Sequence, residues 1–430
     1  MENQTVICGA GLAGIATAYY LSVKYGQKDI VLLDRFLPMS FTTSKSGENY
    51  RNYWPHACMT EFVTHSLDLM HELQAGDAFE MREIGYDFIS EHKAELFPSS
   101  YETSYGETTD GQEKEPSNYL VRITDRELLA YSKPYLADSV NQVVHVKRAG
   151  VLDVNALGSL LLGKARKAGV VFRQARIEGV SQGPGSGFNM SLANGDKIST
   201  QQLVIAAGPF IGELASMLGV ELRVENYLQH KIVIPDPANA VPLDMPFSIF
   251  ADSQYLRWTD EERLMMVGDK EYAHLLAEFP PGLHIKPEGR NQIKLGWAFN
   301  RQPEKASWDP GSNPEFADIV LRGASRFVPS LEQYVARVPT PISHFSGYYT
   351  RTRENWPIIG PLEIEGLHVV GALSGYGTMS ACSAGELCAD YMNDMDNTSL
   401  PGYARYFHPR RYEDVKIQRE IDAISSDGQL

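Results

Sequence analysis

A glycine-rich stretch near the amino terminus constrains the fold more than any other feature of the chain. Residues 9–14 read GAGLAG, follow a short β-rich run at residues 5–8, and begin a segment, residues 12–25, with apolar positions at helical spacing. A second apolar run at residues 29–33 comes next, and Asp34 follows it. Because glycines in this arrangement permit a tight turn and the close approach of a pyrophosphate to the helix start, the segment predicts a βαβ unit that binds a dinucleotide.

The position of Asp34 supports this prediction. It lies 20 positions after Gly14 (34 minus 14), at the expected end of the second strand, where a carboxylate can accept hydrogen bonds from ribose hydroxyls. A glycine-rich turn without a ligand is the alternative, and the complete order of strand, turn, helix, strand and acid argues against it. This unit alone does not distinguish FAD from a nicotinamide cofactor.

The composition limits the kinds of partner. The 430 residues suffice for about two or three domains, and no apolar run approaches the ~20 residues that span a bilayer. The net charge of −15 argues against binding to nucleic acid or to an anionic membrane, since both partners are polyanions. The four cysteines are scattered without metal-ligand spacing, so we expect reduced thiols and no metal site. We therefore expect a cytoplasmic protein with a small-molecule ligand, and the oligomeric state stays open.

The remaining segments predict two kinds of sheet. Asp153 can cap a helix over residues 154–168, and residues 203–207 form another buried-strand run, so the βα alternation resumes there. Residues 223–338 instead contain strand-like stretches separated by Pro-rich loops, which predicts a mostly antiparallel second domain. A polar segment at residues 90–118 is predicted to be a surface excursion.

The last part of the chain carries a second glycine-rich turn. A strand is predicted over residues 367–372, a glycine-rich loop over residues 374–379, and a helix over residues 383–392. Glycines in such a loop let backbone N–H groups approach a planar ligand, although a plain tight turn is the simpler interpretation.

Together these segments resemble the D-amino acid oxidase superfamily of FAD enzymes, nearest its sarcosine oxidase and glycine oxidase branch. The stretches that carry the resemblance follow the family's order over nearly the whole chain: residues 9–14 with Asp34, 150–153 (GVLD), 204–210 (VIAAGPF), 352–360, and 374–377 (SGYG) followed by Gly385 and Glu386.

The resemblance implies an α/β fold, in which a Rossmann-like FAD-binding domain is joined to a second, mostly antiparallel β-sheet substrate domain (α+β). The FAD-binding domain would be discontinuous, made of residues 1–60, 145–222 and 340–430. The substrate-binding domain would comprise residues 61–144 and 223–339.

The same resemblance implies which residues contact FAD. They lie in the glycine turn, after the second strand, in the third and fourth segments, and in the late loop. The expected set is Gly9, Gly11, Leu12, Ala13, Gly14, Asp34, Arg35, Ser44, Lys45, Ile177, Ala207, Gly208, Gly375, Tyr376, Gly377, Thr378 and Met379.

Three residues are expected at the reaction centre. Lys294 resembles the family's lysine that lies over the flavin and activates dioxygen, with a solvated strand lysine as the alternative. Arg51 lies near the place where relatives have arginines, so a substrate carboxylate, a flavin-organising pair and a surface ion pair all stay open. Tyr349 takes the place of the arginine that binds the α-carboxylate in glycine oxidase.

Other departures concern the substrate and the attachment of the flavin. Met379 occupies the place of a second carboxylate-binding lysine of sarcosine oxidase. Gly347 lies where that enzyme has the cysteine bonded to flavin, and residues 44–47 lack the histidine that some relatives use instead. We therefore expect that FAD is bound without a covalent bond. The departures at Tyr349 and Met379 argue against simple α-amino acids and sarcosine as substrates.

The activity implied is oxidation of an amine or amino acid at its C–N bond to an imine, which water hydrolyses, with dioxygen reduced to hydrogen peroxide. One alternative is a dehydrogenase that passes its electrons to a quinone or to a protein. The alternative of another class is a nonenzymatic nucleotide-binding protein.

Overall fold

The computed structural model describes residues 3–74, 79–94, 96–97, 120–183, 187–335, 337–394 and 399–424. The surface excursion predicted at residues 90–118 lies for the most part outside these described residues.

The strands are, in chain order, β1 Asn3–Cys8, β2 Ile30–Asp34, β3 Asn49–Arg51, β4 Met81–Arg82, β5 Tyr86–Ser90, β6 Leu120–Ile123, β7 Gln142–Val146, β8 Ala149–Leu152, β9 Val171–Gln174, β10 Ile177–Gln182, β11 Phe188–Leu192, β12 Lys197–Ile205, β13 Glu225–Pro235, β14 Phe247–Phe250, β15 Leu283–Glu288, β16 Gln292–Trp297, β17 Ser343–Arg351, β18 Ile358–Pro361 and β19 Leu367–Gly371. The α-helices are α1 Leu12–Tyr19, α2 Ala57–Gln74, α3 Arg126–Ser132, α4 Val154–Lys167, α5 Ile211–Ser216, α6 Asp260–Val267, α7 Phe316–Ser325, α8 Glu332–Val335, α9 Gly377–Asn393, α10 Ala404–Phe407 and α11 Val415–Asp422.

The first sheet contains the predicted βαβ unit. Its parallel strands lie in the order β9, β2, β1, β12, β19, and α1 follows β1 at the glycine turn. The order reverses beside β1, and ligands of open α/β sheets bind at the carboxyl ends of strands at such a reversal. Strand β12 also pairs through its first half with β11, which continues the sheet as an antiparallel hairpin with β10.

Helix α9 packs closely against α1, although the two are far apart in the chain. A Cβ atom at Gly385 would lie 2.5 Å from backbone atoms of Ala16 and Thr17, so only glycine permits this approach. Helix α2 packs against α9 as well, where the Ser383 hydroxyl donates to the carbonyl oxygen of Phe62 at 2.8 Å. The apolar face of α2, which contains residues on both sides of the predicted domain limit at position 60, is buried in the same core as α1 and α9.

The second sheet has the order β17, β13, β16, β15, β14, β5, β7, β6, and its pairs are antiparallel except that of β14 with β5. One face is apolar: Ile232 of β13 and Leu295 of β16 belong to a core that also contains residues of α7. The prediction of a mostly antiparallel second sheet is therefore confirmed. The opposite face carries polar side chains and meets the first domain through Lys231, whose Nζ donates to the carbonyl oxygen of Lys45.

A small sheet of β3, β8 and β4 joins the two parts of the molecule, and the GVLD stretch leads from β8 into α4. The Asp153 side chain accepts from the N–H of Ala156, so the predicted helix cap is present.

One helix boundary differs from the prediction. Helix α9 begins at Gly377 instead of residue 383, so the predicted late loop ends inside its first turn. The glycine pattern predicts a loop, but glycine costs a helix only about 1 kcal/mol relative to alanine, so it does not prevent α9 from beginning at Gly377.

Among the described residues, no helix combines the length and the hydropathy that a membrane span requires.

Candidate active site

A cavity of about 760 Å³ lies between the two sheets. The glycine turn and Asp34 line one end, and Lys231 and Tyr349 of the second sheet line the other. The late loop contributes Gly375, which lies against the Tyr349 ring. The size is that of a small-molecule or cofactor site, and the two glycine-rich segments, although distant in sequence, border the same space.

The glycine turn is built from close backbone contacts. Gly9 has φ +117°, a conformation that favours glycine, and a Cβ atom there would overlap the carbonyl oxygen of Ala206. A Cβ atom at Gly14 would overlap the carbonyl oxygen of Gly9. Helix α1 begins at the cavity, where Gly11 and Ala13 line it, and the N–H of Leu12 donates to the Thr43 hydroxyl at 3.2 Å. This end of the cavity is suited to a phosphate.

Asp34 holds this turn as well as lining the cavity. Its carboxylate accepts from the N–H of Ala10 at 2.8 Å and from the N–H of Phe36 at 2.9 Å. Burial raises the pKa of Asp34, and these two N–H groups partly offset the shift. The acid predicted from its spacing therefore lies where a ribose could meet it.

The late loop lies against the second sheet. A Cβ atom at Gly375 would lie 2.6 Å from the Tyr349 ring, so the absence of a side chain lets this ring approach the backbone. The hydroxyls of Ser46 and Thr378 are 2.6 Å apart and join the late loop to the segment after β2. Helix α9 starts at the cavity with its positive dipole end.

Most of the residues expected to contact FAD line the cavity: Gly9, Gly11, Leu12, Ala13, Asp34, Arg35, Lys45, Ile177, Ala207, Gly208, Gly375, Gly377 and Thr378. The other four lie beside it. Gly14 packs against Gly9, and the exposed Ser44 donates to backbone carbonyls. Tyr376 donates to the carbonyl oxygen of Asn355 at 2.7 Å, and Met379 belongs to the first core.

The residues present fit FAD. The turn can pack this closely only because Gly9 and Gly14 lack side chains, and it places the start of α1 at the cavity, where a phosphate can bind. Asp34 offers a ribose acceptor, and the start of α9 offers positive dipole at the opposite end of the same cavity. A dinucleotide whose second half is a large planar ring matches these features.

Lys294 lies on the cavity-side face of the second sheet but is not among the cavity-lining residues. It is 8% exposed, so it is not a solvated surface lysine. Its Nζ lies 3.0 Å from Glu288 and 3.5 Å from Glu48. Its role in oxygen activation stays a prediction.

Arg51 is buried, with 2% of its surface exposed, so a surface ion pair is not its role. Its guanidinium carbon lies 4.5 Å, 4.9 Å and 4.7 Å from the ring centroids of Trp54, Tyr86 and Phe88. These are cation–π distances. A role at substrate or flavin stays a prediction, because Arg51 does not line the cavity.

Tyr349 lines the cavity through a phenol that stays protonated at neutral pH. Burial, with Tyr86 nearby, raises the pKa of Tyr349 to about 12. The hydroxyl can therefore donate a hydrogen bond to a ligand.

Two cavity residues were missed by the sequence analysis. Trp308 lies in the loop after β16, and its ring stacks on Phe210 with centroids 3.6 Å apart. The guanidinium of Arg35 lies 4.3 Å from the same tryptophan ring. A tryptophan in an aperiodic loop carries no local signal of this contact. Lys231 did give a signal in the sequence, because it is a charged residue next to an apolar run that is typical of a strand.

The comparisons agree with this geometry. A family model described as FAD dependent oxidoreductase (DAO) matches residues 4–391. No curated protein matches the chain in sequence.

Solved structures with the same fold cover nearly the whole chain. L-Proline dehydrogenase from P. horikoshii has a TM-score of 0.73 at 17% identity, over 96% of this chain and 98% of that one. Iminodiacetate oxidase from Chelativorans sp. has a TM-score of 0.68 at 16% identity, over 93% and 97% of the two chains. Glycine oxidase from Bacillus cereus has a TM-score of 0.67 at 15% identity, over 92% and 96%.

Proposed function

Because this chain belongs to the DAO family of FAD-dependent oxidoreductases, as its sequence predicted, we propose that it oxidises the C–N bond of a small amine or amino acid with dioxygen as the electron acceptor. The amine, one dioxygen and one water would give a carbonyl compound, a smaller amine or ammonia, and hydrogen peroxide. FAD, when bound, supplies the two-electron chemistry between amine and dioxygen.

One observation carries the proposal: the dinucleotide cradle and a face of the second sheet border the same cavity. An amine bound next to the second sheet would lie at the end of the cavity opposite the glycine turn. Tyr349 and Gly375 stand at that end, and the protonated Tyr349 can donate to the ligand. Structural relatives whose names describe amine and amino acid oxidation support the substrate class.

We propose that FAD is held without a covalent bond. The position implied by the resemblance for a flavin-bonded cysteine is Gly347, which lines the cavity and has no nucleophile. The cysteines of the described residues are buried in apolar surroundings, as in the case of Cys8, whose thiol pKa is raised to about 12 by burial. The cytoplasmic location and the domain limits given above stay predictions from the sequence.

The test begins with the visible spectrum of the purified protein and its release of FAD on denaturation. Anaerobic stopped-flow mixing with a panel of amines and amino acids then measures reduction, and mixing of the reduced enzyme with dioxygen measures reoxidation. Reduction by at least one amine and fast reoxidation are expected. A colourless protein that takes up no FAD, or an FAD-loaded protein that no amine reduces, would contradict the proposal.

A dehydrogenase is the second candidate, and the environment of Lys294 favours it. An ammonium group next to the carboxylates of Glu288 and Glu48 is a weaker source of positive potential than a free cation. Replacing Lys294 by Met should slow reoxidation by dioxygen more than reduction by amine if the lysine activates oxygen. The matched control is Lys286→Met, which removes the other lysine paired with Glu288.

A reduced wild-type enzyme that is reoxidised by a quinone but not by dioxygen would show that the protein is a dehydrogenase. The nonenzymatic alternative has no support from the family to which the chain belongs.

A further inference from the structure

Three lysines share the cavity-side face of the second sheet. Lys231 of β13 pairs with Gly296 of β16, two positions from Lys294 on the same strand, and Lys294 pairs with Lys286 of β15. Cross-strand partners point to the same face of a sheet. The alternate residues, such as Ile232, are buried in the apolar core on the other face. The three ammonium groups therefore crowd into one region.

Two of these lysines have carboxylate partners. Glu288 lies 2.9 Å from the Nζ of Lys286 and 3.0 Å from that of Lys294, and Glu48 lies 3.5 Å from Lys294. Burial opposes the ionisation of Glu288, but the two lysines lower its pKa overall. This part of the cluster is close to neutral.

Lys231 differs from both. Its Nζ donates to the carbonyl oxygen of Lys45 at 3.2 Å, and within the described part of the chain it forms no ion pair. Burial, together with Lys294 and Lys286, lowers the pKa of Lys231 to about 8. Since a buried cation is costly without an anion, a negative charge next to Lys231 would stabilise its charged form.

The sheet makes room for this lysine. A Cβ atom at Gly296 would lie 2.8 Å from Cγ of Lys231 and would overlap the His284 ring. Both side chains therefore depend on the missing side chain of Gly296. Unlike Lys286 and Lys294, Lys231 lines the cavity, at the same end as Tyr349. Its Nζ lies 5.8 Å from the centroid of the Tyr349 ring.

Other cations that line the cavity are less suited to an anion at this end. Arg35 lies against Trp308, and Arg176 is paired with Glu178 at 2.6 Å. The Nζ of Lys45 lies over the ring of Phe345, 5.8 Å from its centroid.

From this arrangement we propose that Lys231 binds a carboxylate of the substrate, so that the amine oxidised by this protein is one that carries a carboxylate group. The inference rests on the proposed function, because it names the substrate class of the same site. The Tyr349 hydroxyl provides a second donor at this end of the cavity, and the two positions where the resemblance implied cationic anchors hold Tyr349 and Met379, which carry no charge.

The test measures binding separately from turnover. FAD-loaded protein is titrated with benzoate and with its neutral analogue benzamide, and the change in the visible spectrum gives each dissociation constant. The wild type should bind benzoate at least tenfold more tightly than benzamide. Lys231→Met should weaken benzoate binding roughly 10- to 100-fold, as expected for a charged hydrogen bond, and leave benzamide binding unchanged.

Matched variants separate charge from structure. Lys286→Met removes a lysine of the same face that already has a carboxylate partner, and should leave benzoate binding within about twofold. Lys231→Arg keeps the charge and should restore part of the affinity. With substrates, kcat/KM for glycine against glycinamide, and for L-proline against L-prolinamide, should lose its preference for the acid in Lys231→Met.

Three results would overturn the inference: equal binding of benzoate and benzamide by the wild type, unchanged benzoate binding in Lys231→Met, or a Lys231→Met protein that loses FAD while Lys231→Arg retains it. The last result would assign the lysine to the cofactor. Benzoate binding that depends on Lys231 in a protein that no amine reduces would support the carboxylate site and contradict the proposed function. Amine oxidation that is indifferent to Lys231 would do the reverse.

Discussion

The two ends of the cavity are built in different ways. At the nucleotide end, backbone atoms define the site: Gly9 and Gly14 are required because their neighbours occupy the space of a side chain, and Asp34 holds the turn through backbone N–H groups. At the other end, side chains from antiparallel strands define it, and Lys231 and Tyr349 could each be replaced without changing the path of the chain.

This difference separates cofactor from substrate. A site made of backbone admits one shape of ligand and tolerates few sequences, so it identifies the class of ligand, a dinucleotide. A site made of alternating strand side chains changes its chemistry with one substitution. Substitutions at the two ends should therefore differ in kind, with folding and FAD retention affected at one end and ligand preference at the other.

The largest effect is expected for Gly14→Ala. The added methyl group would overlap the carbonyl oxygen of Gly9, so β1 and α1 must separate. We expect a loss of about 3 kcal/mol in the free energy of unfolding and a protein purified largely without FAD. The control is Gly163→Ala in α4, where no atom lies within 4 Å of the added carbon. Urea unfolding and the ratio of flavin to protein absorbance measure both effects, and equal behaviour of the two variants would contradict the backbone account.

The second expected effect is a pH dependence at the other end. Because the pKa of Lys231 is lowered to about 8, its ammonium group is present below that pH and is lost above it. Affinity for benzoate should stay level between pH 6 and 7, fall about tenfold per pH unit above the pKa of the free protein, and level off once the pH exceeds the higher pKa of the complex.

The titratable groups around Lys231 should not obscure its own contribution to the pH dependence. They are Lys45, Glu48, His284, Lys286, Glu288, Lys294 and Tyr349. Burial lowers the pKa of His284 to about 3, so it is neutral throughout, and Tyr349 remains protonated. Lys286 has a lowered pKa but lies against Glu288, so Lys286→Met should keep the profile. A flat profile from pH 6 to 10 in the wild type would contradict the role of Lys231.

The third effect tests whether a side chain of the second domain contributes to the nucleotide end. Removing the Trp308 ring would expose Phe210 and Arg35, which flank the cavity. We expect Trp308→Ala to release FAD roughly tenfold faster, because stacking and cation–π contacts are each worth about 1 kcal/mol.

The control for this variant is Trp258→Ala. Trp258 also belongs to the second domain and also carries an arginine, Arg322, 4.1 Å from its ring, but it does not line the cavity. The return of flavin fluorescence after dilution measures release. Similar rates in both variants would show that Trp308 contributes only general stability.

The sequence predicts the nucleotide end of the cavity better than the other end, because one end is built from backbone and the other from side chains. The glycine turn and Asp34 follow a spacing that is set by backbone geometry within one βαβ unit, so residues 9–34 suffice to read it. Fold class and family followed from such segments, and most of the residues expected to contact FAD line the cavity.

The other end depends on strand register between distant segments, which no local pattern reports. The family motif indicates Lys294, whereas Lys231 on the neighbouring strand lines the cavity. Trp308 reaches the nucleotide end from a loop without periodicity. Helix α9 begins earlier than the sequence predicts, because Gly377 belongs to the helix instead of the loop.

The smallest effect is expected where the two ends meet. The Ser46 and Thr378 hydroxyls, 2.6 Å apart, connect the segment after β2 to the start of α9, and the Ser46 oxygen also accepts from the N–H of Glu48 at 2.9 Å. Thr378→Val keeps the shape and removes one hydroxyl, which should weaken FAD binding about fivefold, the value of one neutral hydrogen bond. Ser199→Ala, which removes a hydroxyl bonded to Asn189 on an exposed hairpin, should leave FAD affinity unchanged.

A double-mutant cycle decides whether this bond acts as a connection between the ends. If it does, Ser46→Ala should cost FAD affinity in the wild type but almost none in Thr378→Val, because the partner is already gone. Additive losses would mean that each hydroxyl contacts the cofactor separately. In that case the late loop and the segment after β2 would be positioned independently, and a change at the substrate end would reach the nucleotide end only through the bound molecule itself.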